Sequence, residues 1–176
     1  LEFEMKPLIN DHTIAIFGRE MLKKRMSVGK LLRLLDDMKL LHIGEVAEQA
    51  KSKTSGIALC KRNTPGKDFV NGVQCKHVKT WPEPKHTGIR ASLSPTSSKG
   101  PLSVTVTETI TDKQWYFWIP LADAQKAHCI KFTFNADGSP RVGKGRSDSY
   151  LPDWWDYKVK DYKTLCKMIK EYREPQ

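Results

Sequence analysis

No stretch of this chain approaches the ~20 consecutive apolar residues that a membrane-crossing helix needs, and its start lacks the pattern of a secretory leader. Cysteine is sparse: Cys60, Cys75, Cys129 and Cys166 stand far apart, with no Cys-x-x-Cys pair. That argues against a zinc ribbon or a disulfide frame, and for reduced thiols in a cytoplasmic protein. The one glycine-rich basic stretch, "RVGKGRSDS" (141–149), has neither the spacing of a phosphate-binding loop nor a helix after it. It reads as a basic loop that contacts phosphate backbone, and no small-molecule cofactor is expected. There is no internal repeat. Acidic residues are also short, 20 against 30 Lys and Arg, which leaves a net charge of +10 over 176 residues.

That charge favours polyanionic partners, nucleic acid before an anionic membrane. Length and a 39% hydrophobic content fit one globular domain with its own core. "LEFE" before Met5 reads as a cloning remnant, with the domain running over 5–176. Within it, 5–43 reads as N-terminal helices, 44–135 as a core, and 136–176 as a basic loop and terminal helix.

Residues 13–26 mix apolar and basic side chains at helical spacing. Over 27–41, Ser27 can cap a helix whose Val28, Leu31, Leu32, Leu35 and Met38 share a face. After the His42-Ile43-Gly44 break, 44–51 gives another helical stretch, with Val46, Ala47 and Ala50 inward and Glu45 and Glu48 on the polar side. From about 56 the period changes to that of strands. "GIALCKR" (56–62) reads as a strand, and "KDFV" and "VQCKHV" flank Asn71-Gly72, a strong hairpin signal because both residues tolerate positive φ. Residues 81–101, rich in Pro and Ser, read as a loop with a short helix around 86–93. "LSVTVTETI" (102–110), "QWYFWIP" (114–120) and "CIKFTFN" (129–135) read as strands, the second as a central one. A short helix or turn lies at "LADAQKA", and 161–172 reads as an amphipathic helix. The fold class is therefore α/β, with a mixed central sheet of about five strands flanked by helices.

The hairpin carries the chemistry. Alternate side chains of a strand share a face, so Gln74 and Lys76 point the same way. If Val70 pairs with Val73, the turn folds Asp68 across from Cys75, within one position of both. A carboxylate, an amide oxygen and an ammonium then meet at one sheet edge. Metal-assisted phosphodiester hydrolysis uses those groups. Mg²⁺ takes oxygen ligands, keeps several waters and lowers the pKa of an attacking water, with Mn²⁺ a substitute. A lysine beside that water orients it and offsets charge on the phosphate. Glu48, or Glu45 one turn earlier, can supply a second acid from the preceding helix.

"GKDFV" and "VQCKHV", with Asp68, Gln74 and Lys76 in the order Asp-x5-Gln-x-Lys, resemble the PD-(D/E)XK nucleases, in the variant of Mrr-type restriction-enzyme-like members where Gln replaces the second acid. The resemblance covers roughly half the chain. It implies a restriction-endonuclease-like core of helix, three strands, helix and strand, an order that the reading of 44–135 follows. It implies a metal-dependent DNA endonuclease of restriction or homing type. Asp68, Glu48 and Gln74 would serve as metal ligands and Lys76 as the catalytic lysine, acting on double-stranded DNA. Cutting both strands requires two active centres, hence the expectation of a homodimer.

A different class of function competes. "IGEVAEQAKSKTSGIALCKR" (43–62) has the look of a helix-turn-helix: Ile43, Val46, Ala47 and Ile57 are spaced like its packing residues, and 52–55 would begin a recognition helix. That reading makes the protein a DNA-binding regulator that does not cut. A nuclease directed at RNA is a third reading. Trp154-Trp155 reads as an anchor of the terminal segment rather than a base-stacking pair. Lys158, Lys160, Lys163, Lys167 and Lys170 read as a solvated face that can also touch phosphates. Glu83, Lys85 and His86 form a polar loop near the hairpin exit, where His86 is a conceivable general base.

Overall fold

The computed structural model describes residues 43–61, 64–82, 89–143 and 151–176. The helices expected over 13–26 and 27–41, the loop holding Glu83, Lys85 and His86, and most of the basic loop at 144–149 lie outside them.

The described chain is α/β. Helix α1 (Ile43–Ser55) is followed by a short extended stretch over 57–60, a turn at Pro65-Gly66 and a tight turn before β1 (Gln74–Lys79). Then come β2 (Trp81–Pro82), β3 (Ile89–Leu93), β4 (Leu102–Thr107) and β5 (Gln114–Ile119). A short α2 (Leu121–Ala124), β6 (Ile130–Phe134), a 3₁₀ turn (Trp154–Tyr157) and α3 (Tyr162–Glu171) complete it. The strand pairing is mixed and helices flank it, as the alternating patterns imply. The hydrogen bonding groups the strands as two three-stranded sheets, β1-β4-β5 and β2-β3-β6. β1 runs parallel to β4, and β5 antiparallel.

The central strand is β4, not the aromatic β5. β4 is buried along its whole length, the mark of a strand covered on both faces. Its Leu102, Val104 and Val106 face the second sheet. There they meet Phe117 and Ile119 of β5, Ile89, Ala91 and Leu93 of β3, and Ile130, Phe132 and Phe134 of β6. Ser103, Thr105 and Thr107 point the other way, towards the side where Cys75 packs with Phe69, Val73 and Ile169 of α3. β5 reads as central because both its faces are covered: Tyr116 and Trp118 meet Tyr162 and Tyr172, while Trp115 and Phe117 meet Trp155. Its outer edge is closed by a bridge to Lys158.

Other expectations shift. Residues 89–93 are a strand rather than part of a helix, because Ile89, Ala91 and Leu93 alternate inward with Arg90 and Ser92. The 56–62 strand shrinks to one bridge, Leu59 to Phe69. The helix-turn-helix over 43–62 does not form in the described residues. α1 runs unbroken through the intended turn at Lys51 and ends at Ser55, and Gly56, at φ +74°, turns the chain into the extended segment.

The β4–β5 connection is tied by a buried acid. Glu108, fully buried, accepts from the N–H groups of Ile110 and Thr111, each at 2.7 Å, and from the Thr111 hydroxyl. Gly138, at φ +83°, packs so closely on this carboxylate that a Cβ there would overlap it. Glu108→Ala strands two N–H groups beneath the turn, so urea unfolding is expected to show a loss of about 3 kcal/mol, with Glu108→Gln losing less.

Candidate active site

The turn that carries Asp68 is a three-residue hairpin loop. The Phe69 N–H donates to the Val73 carbonyl at 3.0 Å, and the Gly72 N–H to the Phe69 carbonyl at 2.9 Å. Residues 70–71 make the turn, and Gly72, at φ +97°, takes the left-handed position that closes such loops. The closing pair is therefore 69 with 73, not 70 with 73. The expected hairpin ladder does not extend beyond this turn: β1 pairs with β4, Phe69 bridges to Leu59, and Asp68 reaches Gln74 and Cys75 through its carboxylate. The turn is docked on α3: the Asn71 side-chain amide donates to the carbonyl of Ile169 at 2.7 Å, at the helix's open C-terminal end.

Asp68 is half-buried, and its Oδ2 is held twice. It accepts from the Gln74 side-chain amide at 2.9 Å and from the Cys75 N–H at 2.6 Å. Gln74, only 8% exposed, thus spends its nitrogen on Asp68, while its Oε1 is buried with no hydrogen-bond partner among the described residues. A hairpin whose polar edge merely faced water would leave these groups hydrated. Here Gln74 is withdrawn from it, while Asp68 stays half-buried at a cleft.

Across from Asp68, α1 turns Glu48 into the same cleft. This cleft, of about 490 Å³, has Gly44, Glu45, Glu48 and Gln49 on one wall and Leu59, Cys60, Lys61, Thr64, Lys67 and Asp68 on the other. Gln74 and Lys76 do not line it. Lys76, half-buried on β1, acts on both carboxylates through its charge. The structure thus brings Asp68 and Glu48 together at the cleft, with Gln74 clasping Asp68 and Lys76 within electrostatic reach. Among the described residues no group of three or more His, Cys, Asp and Glu side chains could hold a metal.

The electrostatics show two acids crowded into a partly dry place. Burial, then Asp68, then Glu45 push Glu48 up from 4.5 to about 7. Burial also raises Asp68, against the opposing pull of the Cys75 N–H, Lys76, Gln74 and Lys51. Because Glu48 titrates higher folded than unfolded, its contribution to stability is full below about pH 4.5 and is lost as pH rises through about 7. The metal-free protein should lose unfolding free energy over that window, and Glu48→Gln should flatten the decline. Thermal melts from pH 4 to 8 with a chelator present compare the two; parallel curves would show Glu48 to be unperturbed.

Helical periodicity places Ala50 inward and overlooks Lys51. Ala50 is exposed, whereas Lys51 is 1% exposed, among the largest fully buried side chains described. Its Nζ donates to the Ser103 carbonyl at 3.0 Å, pinning α1 to β4. It lies one turn beyond Glu48 and four residues after Ala47, which packs on the core. That spacing is the signal the sequence offers for it. The neighbouring Cys75 is no nucleophile, since burial pushes its thiol up to about 11. Comparison with protein-family models, curated proteins and solved structures finds no match.

Proposed function

We propose that the chain is a metal-dependent endonuclease with a restriction-endonuclease-like core, hydrolysing phosphodiesters of double-stranded DNA at the cleft between α1 and the hairpin. The observation that carries this reading is the convergence of Asp68 and Glu48 on one cleft, with Gln74 clasped to Asp68 and Lys76 in reach of both acids.

The donors suit Mg²⁺ or Mn²⁺ rather than zinc. Two carboxylates and an unpartnered amide oxygen are hard oxygen ligands, and a Mg²⁺ site is commonly one or two carboxylates completed by water and substrate phosphate. Asp68 and Glu48, which line the cleft, would hold the ion, and Gln74 could join them only if its buried Oε1 turned toward the cleft. Such an ion, when bound, polarises the scissile phosphate and acidifies a water.

The chain's own residues supply the rest. Gln74 and the Cys75 N–H fix Oδ2 of Asp68 and leave Oδ1 outside that clasp. Lys76, off the cleft lining, acts through its charge on the two acids and on the negative charge that accumulates on an incoming phosphate. Lys51 fixes α1 so that Glu48 faces Asp68. A homodimer would provide one centre for each strand of a duplex. The regulator reading weakens because its second helix is missing at 56–61.

Supercoiled plasmid incubated with Mg²⁺, with Mn²⁺ or with EDTA tests the proposal. Nicked and linear products are expected only with the divalent ions. Intact plasmid under every ion, across pH 6 to 9, would remove the nuclease reading.

A further inference from the structure

The cleft has acids on both walls and lysines on one: Glu45 and Glu48 belong to α1, and Asp68 shares its wall with Lys61 and Lys67. Thr64 stands between the two lysines. Lys61 is exposed. Lys67 is partly exposed, and its Nζ lies 3.8 Å from Oε1 of Glu174, beyond the end of α3. Its side chain lies against Gly72, where a Cβ would overlap it. The start of this tail is fixed in turn by Asn71, which donates to the carbonyls of Ile169 and Tyr172. An acidic side chain is thus stationed on a lysine of the cleft wall, the residue that directly precedes Asp68.

We infer that this wall is the seat of a nucleic-acid backbone: Lys61 and Lys67 hold phosphates flanking the one presented to Asp68 and Glu48, and Glu174 occupies Lys67 until a phosphate displaces it. The physical reason is charge order. A polyanion is repelled by Glu45 and Glu48 on the facing wall and attracted by the two lysines, so it lies along Lys61, Thr64 and Lys67 with one phosphate beside Asp68. An exposed carboxylate at 3.8 Å is a weak partner for an ammonium, and a phosphodiester that also releases counterions outcompetes it. The inference rests on the nuclease reading for what happens to the phosphate beside Asp68, not for where the backbone lies.

The test is fluorescence anisotropy of a labelled duplex DNA between 50 and 200 mM KCl, in EDTA so that no strand is cut. The proteins are the parent, Lys61→Ala, Lys67→Ala, Glu174→Gln and the Lys67→Ala/Glu174→Gln double variant. All the positions are at least partly exposed, and thermal melts confirm that each protein is folded. Each lysine variant should bind more weakly, with a salt slope shallower by about 0.9. Glu174→Gln should bind about two- to fivefold tighter, the range of an exposed ion pair, and that gain should vanish in the double variant. A parent that does not bind duplex, lysine variants with the parental slope, or a Glu174→Gln gain that survives loss of Lys67 would each overturn the inference. Binding with these slopes by a protein that cuts under no divalent ion would leave the inference standing and remove the nuclease reading alone.

Discussion

Asp68→Asn and Lys76→Met should each cut the rate of plasmid cleavage by about 10²–10⁴-fold, yet differ in how they do so. The asparagine side chain keeps an oxygen for the Cys75 N–H, so the hairpin should keep its shape. What the variant loses is the negative charge that faces Glu48, so the divalent-ion concentration for half-maximal activity should rise steeply. Lys76 sits on β1, off the cleft wall, and reaches the acids through its charge. Its loss should lower kcat, leave KM for DNA close to the parent's and, by removing a positive charge that acts on the acids, lower rather than raise the half-saturating ion concentration. Single-turnover cleavage over a Mg²⁺ series separates the two. Equal effects on kcat and ion affinity in both variants would mean that Lys76 acts by shaping the Asp68 environment and not on the reacting phosphate.

Trp155→Ala should be the most damaging single truncation outside the cleft, costing about 4 kcal/mol of stability. Trp155 is 8% exposed and meets four rings: Trp115, Phe117, Phe132 and Phe134, at centroid distances of 5.2 to 6.0 Å. The ring planes cross at 73° to 88°, and edge-to-face packing of this kind adds to area burial. The ring packs the 3₁₀ turn onto β5 and β6. Urea denaturation measures the loss. Duplex affinity of the folded fraction should not move, whereas a tryptophan stacking on bases would cost about 1–3 kcal/mol of binding when removed. A fall in affinity with unchanged stability would reverse the assignment.

Much of this architecture is legible in the sequence because alternation reports burial directly. β6 alternates Ile130, Phe132 and Phe134 with Lys131 and Thr133 as a one-sided strand must. α3 carries Leu165, Cys166 and Ile169 on one stripe, with Asp161 as its cap. What escapes reading depends on partners far along the chain. Asn71 reads as a turn residue only, but its side chain serves a helix end 98 residues on. β3 is hidden among prolines, since five alternating residues are too short to stand out from a loop.

At the candidate site, Asp68 and Glu48 meet at one cleft as their order suggests, while Gln74 and Lys76 stand off its lining and the register is not legible. Order and spacing single out Asp68, Gln74, Lys76 and Glu48. Whether Val70 or Phe69 pairs with Val73 turns on loop length, which Asn-Gly leaves open between two- and three-residue turns. Lys51 reads as polar because a lone lysine on a helix usually is. Its burial depends on the Ser103 carbonyl beneath it, a partner 52 residues away.

Binding of Mn²⁺ to the metal-free protein at pH 7.5, followed by electron paramagnetic resonance, tests most directly whether these acids form one cation centre. The parent should take up one ion per chain, displaceable by Mg²⁺, and Asp68→Asn and Glu48→Gln should each weaken that binding at least tenfold while remaining folded. A parent that binds no Mn²⁺, or binding that survives both substitutions, would contradict a metal-dependent site at the hairpin.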